Sequence, residues 1–151
     1  MIRTVFAVAT MAAIALGACV AVAQEDPIKA RKALMKANGD QAKIGVAMAK
    51  GEAPFDAQKA KVMFATFLDA ANKMPNLFPD NSRTGGETAA SPKIWDNFDA
   101  FYQQMTDAAN LAYDMSQATD LAKFKTQATM LRADCDGCHM KNMNVFDPTK
   151  H

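Results

Sequence analysis

Apolar residues recur every three or four positions over four segments of this chain, a spacing that predicts amphipathic helices. The first predicted helix begins after Asp26-Pro27, an N-cap residue followed by a proline at the first helical position, and ends before Gly51. The second begins after Asp56 and ends at Pro75. Since no segment alternates with a period of two, the pattern predicts an all-α protein.

Two further helices are predicted after a connection, residues 75–90, that is rich in proline, glycine and polar residues. Ser91-Pro92 opens the third, which we expect to continue towards Met115 with an apolar face made of Ile94, Trp95, Phe98, Phe101, Tyr102 and Met105. Asp120 caps the fourth, whose apolar stripe is Leu121, Phe124, Ala128, Leu131, Cys135 and Cys138. The simplest architecture is an antiparallel four-helix bundle in which both cysteines face the core.

The first 23 residues match an export signal, with Arg3, an apolar run and the small-residue triplet Ala21-Val22-Ala23. The run is too short for a stable membrane span. We therefore expect a signal peptide at 1–23, a single domain at 24–151 and a periplasmic location. An alternative is lipoprotein processing at Leu16-Gly17-Ala18-Cys19, which would leave a lipid anchor on Cys19.

Charge narrows the possible partners. Removing residues 1–23 takes away Arg3 and no acid, so 16 basic residues (17 less Arg3) face 16 acidic ones. Such a balance disfavours a nucleic-acid partner. No acid–base constellation typical of an enzyme is evident in the sequence, so we do not expect a catalyst.

Candidate chemistry lies near the C-terminus, in the pentapeptide Cys135-Asp136-Gly137-Cys138-His139. Cys-x-x-Cys-His is the attachment sequence for haem c: two thiols add to the haem vinyl groups and the adjacent imidazole coordinates the iron. A disulfide, a thioredoxin-like redox motif and half a zinc site are the alternatives. A thioredoxin motif follows a strand, however, and zinc would need further ligands when His151 is the only other histidine.

The chain also resembles a family, the class II c-type cytochromes, over essentially all of residues 24–151. The resemblance rests on KALMKANG in the first helix, LFPD in the long connection, SPKIW at the third helix and CDGCH. It implies a four-helix bundle with one covalently bound haem per chain. The family commonly has an aromatic and then a basic residue after the motif, where this chain has Asn142 and Met143.

The resemblance also implies the second iron ligand. Met35 resembles the methionine that ligates iron in the low-spin members, whereas cytochrome c′ itself usually has a non-coordinating residue there. Arg31 and Asn38, one turn to either side, fit a surface that borders haem propionates. The alternative for Arg31 is a side chain that simply reaches solvent. Trp95 is a further candidate for the wall of the haem pocket.

These observations predict an exported cytochrome with one haem c, held by Cys135 and Cys138, that passes single electrons between redox partner proteins. His139 and Met35 are its predicted axial ligands, with Arg31 and Trp95 beside the cofactor. The alternative is a five-coordinate, cytochrome c′-like protein that binds nitric oxide or carbon monoxide.

Overall fold

The computed structural model describes residues 26–117 and 120–147, so the predicted export signal at 1–23 lies outside the described residues. Within them the chain is all-α, as predicted, and its one strand-like pairing is an isolated bridge between Ala90 and Met143. Five helices follow one another: α1 (Pro27–Lys50), α2 (Ala57–Lys73), α3 (Lys93–Asp96), α4 (Phe98–Met115) and α5 (Leu121–Asn142). The four long ones form the bundle, with α1 contacting α2 and α5, and α4 contacting α2 and α5.

Local capping fixes the start of three long helices where the sequence predicts it. Asp26 accepts hydrogen bonds from the backbone N–H groups of Ile28 (2.9 Å) and Lys29 (3.3 Å). Asp56 does the same for α2 and Asp120 for α5. Such caps satisfy N–H groups that have no partner inside the helix.

One prediction, an uninterrupted third helix, is wrong. The chain leaves helical geometry at Asn97 (φ −144°, ψ 66°), whose side chain accepts a hydrogen bond from the backbone N–H of Ala100 and so starts α4 anew. Asparagine competes in this way because its amide can replace a helical partner. The predicted apolar face is therefore divided, and Tyr102, which is 55% exposed, is not part of the core.

Two apolar clusters fill the bundle, one towards each end. The larger cluster contains Met48, Ala60, Met63, Phe64, Phe67, Ala112, Met115, Phe124 and Leu131. The smaller cluster contains Met74, Ile94, Phe101 and Met105, with Leu34, Phe78, Ala90, Trp95 and Cys138 packed against it. Because Cys135 packs on the larger cluster and Cys138 on the smaller, both cysteines face the core, as predicted. The motif thus lies where the two clusters meet.

Among the described residues, none of the helices combines the length and the apolar character needed to cross a bilayer.

Candidate haem site

The last two turns of α5 carry the Cys-x-x-Cys-His motif. Residues three and four apart lie on one face of a helix, so Cys135, Cys138 and His139 share the side of α5 that faces the bundle. All three side chains are half-buried. One flat cofactor lying along this side can meet both sulfur atoms and the imidazole.

Burial governs the acidity of the two thiols in the haem-free chain. Desolvation, aided by the neighbouring Asp134 carboxylate, raises the pKa of Cys135 to about 12. Desolvation also raises the pKa of Cys138, against a hydrogen bond from the Asn142 amide that acts in the opposite direction. No disulfide joins the two sulfur atoms, and burial favours the thiol form of each over the thiolate. This is neither a disulfide nor the activated thiolate of a redox enzyme.

No residue of α5 after Leu131 is fully buried by protein, although both cysteines and His139 are half-buried. In its 22 residues only Phe124 and Leu131 are buried, whereas the 17 residues of α2 include six that are buried. A bundle helix normally buries an apolar stripe along its whole length. From Leu131 onwards the side of α5 that carries the motif therefore fits a haem as its packing partner.

Met35 lies on α1, which packs beside α5. Its helical stripe consists of Arg31, Met35, Asn38 and Ala42, and the other three members are buried or half-buried. Met35 itself is 38% exposed. The buried side-chain oxygen of Asn38, one turn further along, has no hydrogen-bond partner in the described structure. An accessible thioether on a stripe whose other members are buried or half-buried fits the edge of a cofactor pocket.

Arg31 does not reach into solvent, so the alternative interpretation of this residue is wrong. The side chain is 6% exposed, and its guanidinium donates hydrogen bonds to the carbonyl oxygens of Leu77 and Ser82 and to the hydroxyls of Ser82 and Thr88. It also lies 4.3 Å from the centroid of the Phe78 ring. Desolvation lowers the pKa of Arg31, while the Asp26 carboxylate acts in the opposite direction. Arg31 thus fastens residues 77–88 to α1, one turn before Met35.

Trp95 holds the same connection from the other side. Its indole N–H donates a 2.8 Å hydrogen bond to the carbonyl oxygen of Phe78, and the two rings meet edge to face at 5.3 Å. Trp95 packs on the smaller cluster, as Cys138 does. The structure therefore brings Trp95 and Cys138 to one cluster and places Arg31 5.9 Å from the indole ring.

Sequence reasoning missed two aromatic residues. Phe78, within the LFPD stretch, packs between Arg31 and Trp95, yet a lone aromatic residue in a loop gives no periodic signal. Phe146 lies against His139, with ring centroids 5.0 Å apart and planes inclined by 65°. One indication in the sequence was the lack of an aromatic residue at position 142, where the resemblance implies one.

A four-helix bundle whose last helix carries a core-facing Cys-x-x-Cys-His defines a c-type cytochrome of the bundle type. A model of the family "Cytochrome C′" matches residues 26–142. The chain belongs to this family, the class II c-type cytochromes.

Individual relatives agree over nearly the whole chain. Cytochrome c′ of Rhodopseudomonas palustris is 40% identical over 136 residues, which cover 87% of this chain and 92% of that protein. Cytochrome c-556 of Agrobacterium fabrum is 34% identical over 143 residues, which cover 91% of this chain and 92% of that protein. The solved structure of cytochrome c′ from Rhodopseudomonas palustris superposes with a TM-score of 0.77 at 35% identity, covering 82% of this chain and all of that one.

Membership of the family establishes the cofactor, one covalently attached haem c per chain. It also establishes the general function, that of an electron-carrying or gas-binding cytochrome. The relatives carry three names, cytochrome c′, c-556 and c-554, so the distinction between the two functions has to be sought in the residues of the site.

Proposed function

We propose that this protein is a one-electron carrier in which Cys135 and Cys138 hold the haem by thioether bonds and His139 and Met35 are the axial iron ligands. When bound, the haem supplies an iron that accepts and releases a single electron. The two proposed ligands lie on helices that contact each other, α1 and α5. Its partners are then other redox proteins.

The observation that carries the proposal is the accessibility of Met35. Arg31 is 6% exposed and Asn38 buries its side-chain oxygen, so this stripe of α1 is turned inwards. A methionine between them would be packed by protein if it were core filler, as Met48 is at 1% exposed. Instead 38% of Met35 is accessible. A porphyrin on the motif side of α5 would cover this thioether.

Arg31 and Trp95 act in the proposal as the wall of the pocket. Arg31 ties residues 77–88 to α1, and Trp95 hydrogen-bonds to Phe78 in the same connection. Together they close the pocket beside Met35 and Cys138. A rigid wall of this kind keeps the ligand geometry alike in both oxidation states, which favours rapid electron transfer.

Replacing Met35 tests the proposal. A thioether is a neutral ligand that raises the potential of a histidine-ligated haem, so its removal leaves iron with a free position and a lower potential. We expect Met35→Ala and Met35→Leu holoprotein to change from a low-spin to a high-spin absorption spectrum, to bind carbon monoxide and to have a lower reduction potential. Met130→Ala is the matched control, because Met130 is also accessible, at 51%, but lies on α5 before the motif.

The alternative function gives the opposite result. If the wild-type protein is already high-spin in both oxidation states and binds carbon monoxide at the rate of Met35→Ala, then Met35 is not a ligand. The protein would then be a five-coordinate gas binder.

Covalent attachment has its own test. Holoprotein made with a haem-maturation system should keep its haem through a denaturing gel and acidic organic extraction. The doubly substituted Cys135→Ser/Cys138→Ser protein should lose it. Haem that is extracted cleanly from the wild-type chain would rule out attachment at these cysteines.

We also propose export to the periplasm, with residues 1–23 removed and the domain at 24–151 released. Mass spectrometry of the mature protein should find Gln24 at its N-terminus. Finding an acylated Cys19 instead would place the protein on a membrane surface.

A further inference from the structure

Three residues after His139, where the resemblance implies an aromatic and then a basic residue, this chain has Asn142 and Met143. Asn142 ends α5 by joining three groups: its amide donates hydrogen bonds to Gln104 on α4 (2.7 Å) and to the backbone carbonyl of Cys138 (3.1 Å), and it lies 3.5 Å from the Cys138 sulfur. Asn142 is therefore committed to the helix end and supplies no ring to the haem site.

The tail after α5 folds back along the segment before α3. The backbone N–H of Ser91 donates to the carbonyl of Asn142 (2.8 Å), and that of Asn144 donates to the carbonyl of Ala89 (2.9 Å). The Asn144 amide adds a bond to the carbonyl of Ala90 (3.2 Å). These bonds flank the Ala90–Met143 bridge and fix the direction of the chain from residue 142 to 144. Residues 145–147 consequently return towards the last turn of α5.

The return brings Phe146 against His139. The ring centroids are 5.0 Å apart and the planes are inclined by 65°, which is an edge-to-face contact. Aromatic pairs prefer this arrangement at separations of about 4.5–7 Å because the positive edge of one ring meets the negative face of the other. Phe146 is half-buried, whereas its neighbour Val145 is 83% exposed, so the tail directs the aromatic ring inwards.

We propose that Phe146 is a positioning residue for His139: its ring fixes the plane of the imidazole. This inference rests on the proposed function in that it takes His139 as an iron ligand. The orientation of an axial imidazole sets its overlap with the iron orbitals, and neighbouring groups tune ligand strength. The same contact would hinder the release of His139 from the iron when another ligand binds. In this chain the folded tail thus places an aromatic ring, that of Phe146, beside His139, although residue 142 is an asparagine.

The test uses holoprotein with Phe146→Ala, Phe146→Leu and Phe146→Tyr, and Val145→Ala as the control in the same tail. The first readout is the electron paramagnetic resonance spectrum of the ferric protein, which responds to the plane of the imidazole. The second is the rate at which nitric oxide, added to the ferrous protein, yields a five-coordinate nitrosyl with His139 released. Melting temperatures of all variants show whether the fold is retained.

We expect Phe146→Ala and Phe146→Leu to shift the ferric spectrum and to release His139 at least tenfold faster than wild type. Phe146→Tyr, which keeps the ring, and Val145→Ala should match the wild-type protein in both measurements. If Phe146→Leu matches wild type, bulk rather than the aromatic ring is responsible and the inference is wrong. Equal spectra and rates in Phe146→Ala and wild type would also overturn it.

A His139→Ala variant separates this inference from the proposed function. If His139→Ala leaves the haem spectrum unchanged, His139 is not a ligand and the proposed function fails together with the inference. When His139→Ala alters the spectrum and Phe146→Ala does not, only the role of Phe146 is refuted.

Discussion

Arg31→Met should destabilise the holoprotein by about 2–4 kcal/mol. Of the four oxygen atoms that accept hydrogen bonds from Arg31, those of Ser82 are in buried bonds, whereas the Leu77 carbonyl and the Thr88 hydroxyl are only partly buried. A buried acceptor left without its donor costs about 1–3 kcal/mol, while partly buried acceptors can turn to water. The two acceptors of Ser82 together would cost about 2–6 kcal/mol, twice the value for one. Because the Ser82 hydroxyl still donates a hydrogen bond to the carbonyl oxygen of Pro79, we expect the lower part of this range, about 2–4 kcal/mol.

Arg31→Lys separates the contribution of the two donating nitrogen atoms of the guanidinium from the contribution of its positive charge. An ammonium group has one nitrogen and cannot reproduce bonds from two nitrogen atoms to separated acceptors, nor lie flat at 4.3 Å over Phe78. We therefore expect Arg31→Lys to lose about half as much stability as Arg31→Met. Guanidinium chloride unfolding of the holoprotein, followed by circular dichroism and by haem absorbance, gives both values.

Arg83→Met is the matched control. Arg83 also lies over Trp95, at 5.6 Å, but 44% of its side chain is accessible and its partner Asp80 is exposed. An exposed ion pair contributes about 0–1 kcal/mol, so Arg83→Met should cost less than about 1 kcal/mol. Equal losses in Arg31→Met and Arg83→Met would refute the assignment of Arg31 as the link between α1 and residues 77–88.

Two further substitutions test the electrostatics and the core of the bundle. Burial and the Asp107 carboxylate raise the pKa of Asp134, so the ionised carboxylate is disfavoured in the folded state. The protonated side chain therefore contributes stability at low pH, and this contribution is lost as pH rises through the folded-state pKa. Asp134→Asn should therefore raise the free energy of unfolding at pH 7 by less than about 1 kcal/mol, and this gain should vanish in urea titrations below about pH 4. Phe124→Ala removes a fully buried ring from the larger cluster and should cost about 3–5 kcal/mol, against less than about 1 kcal/mol for Leu121→Ala, which is 37% exposed; equal costs would contradict the packing described.

Helix boundaries that depend only on neighbouring residues could be predicted from the sequence. The boundary at Asn97 could not, because there a capping residue competes with a continuous apolar stripe. Asp26, Asp56 and Asp120 cap their helices through bonds to N–H groups two or three residues away. Asn97 also caps locally, but the apolar periodicity from Ile94 to Met105 continues across it. Where a continuous stripe and a capping residue disagree, the pattern alone does not decide between them.

At the site, contacts between residues far apart in the sequence could not be predicted from the sequence. The Cys-x-x-Cys-His motif is local, so its placement on one face of α5 follows from helical spacing. The acceptors of Arg31 are 46 to 57 residues away along the chain. The periodicity of α1 places Arg31 on the inward side of the helix but does not indicate which loop supplies its hydrogen-bond acceptors. Phe146 reaches His139 only because residues 142–144 pair with residues 89–91. These features depend on the folded chain as a whole.

The surroundings of Met35 support the proposal of an electron carrier over that of a gas binder. Methionines that serve as filler in this bundle are buried within the two clusters at 8% exposed or less: Met48, Met63, Met74, Met105 and Met115. Others are exposed on the surface of α5, at 51% for Met130 and 60% for Met140. Met35 belongs to neither group, because it lies between buried Arg31 and half-buried Asn38 and yet remains accessible. A thioether in that position, on a helix that contacts α5, supports the proposed role of Met35 as an iron ligand.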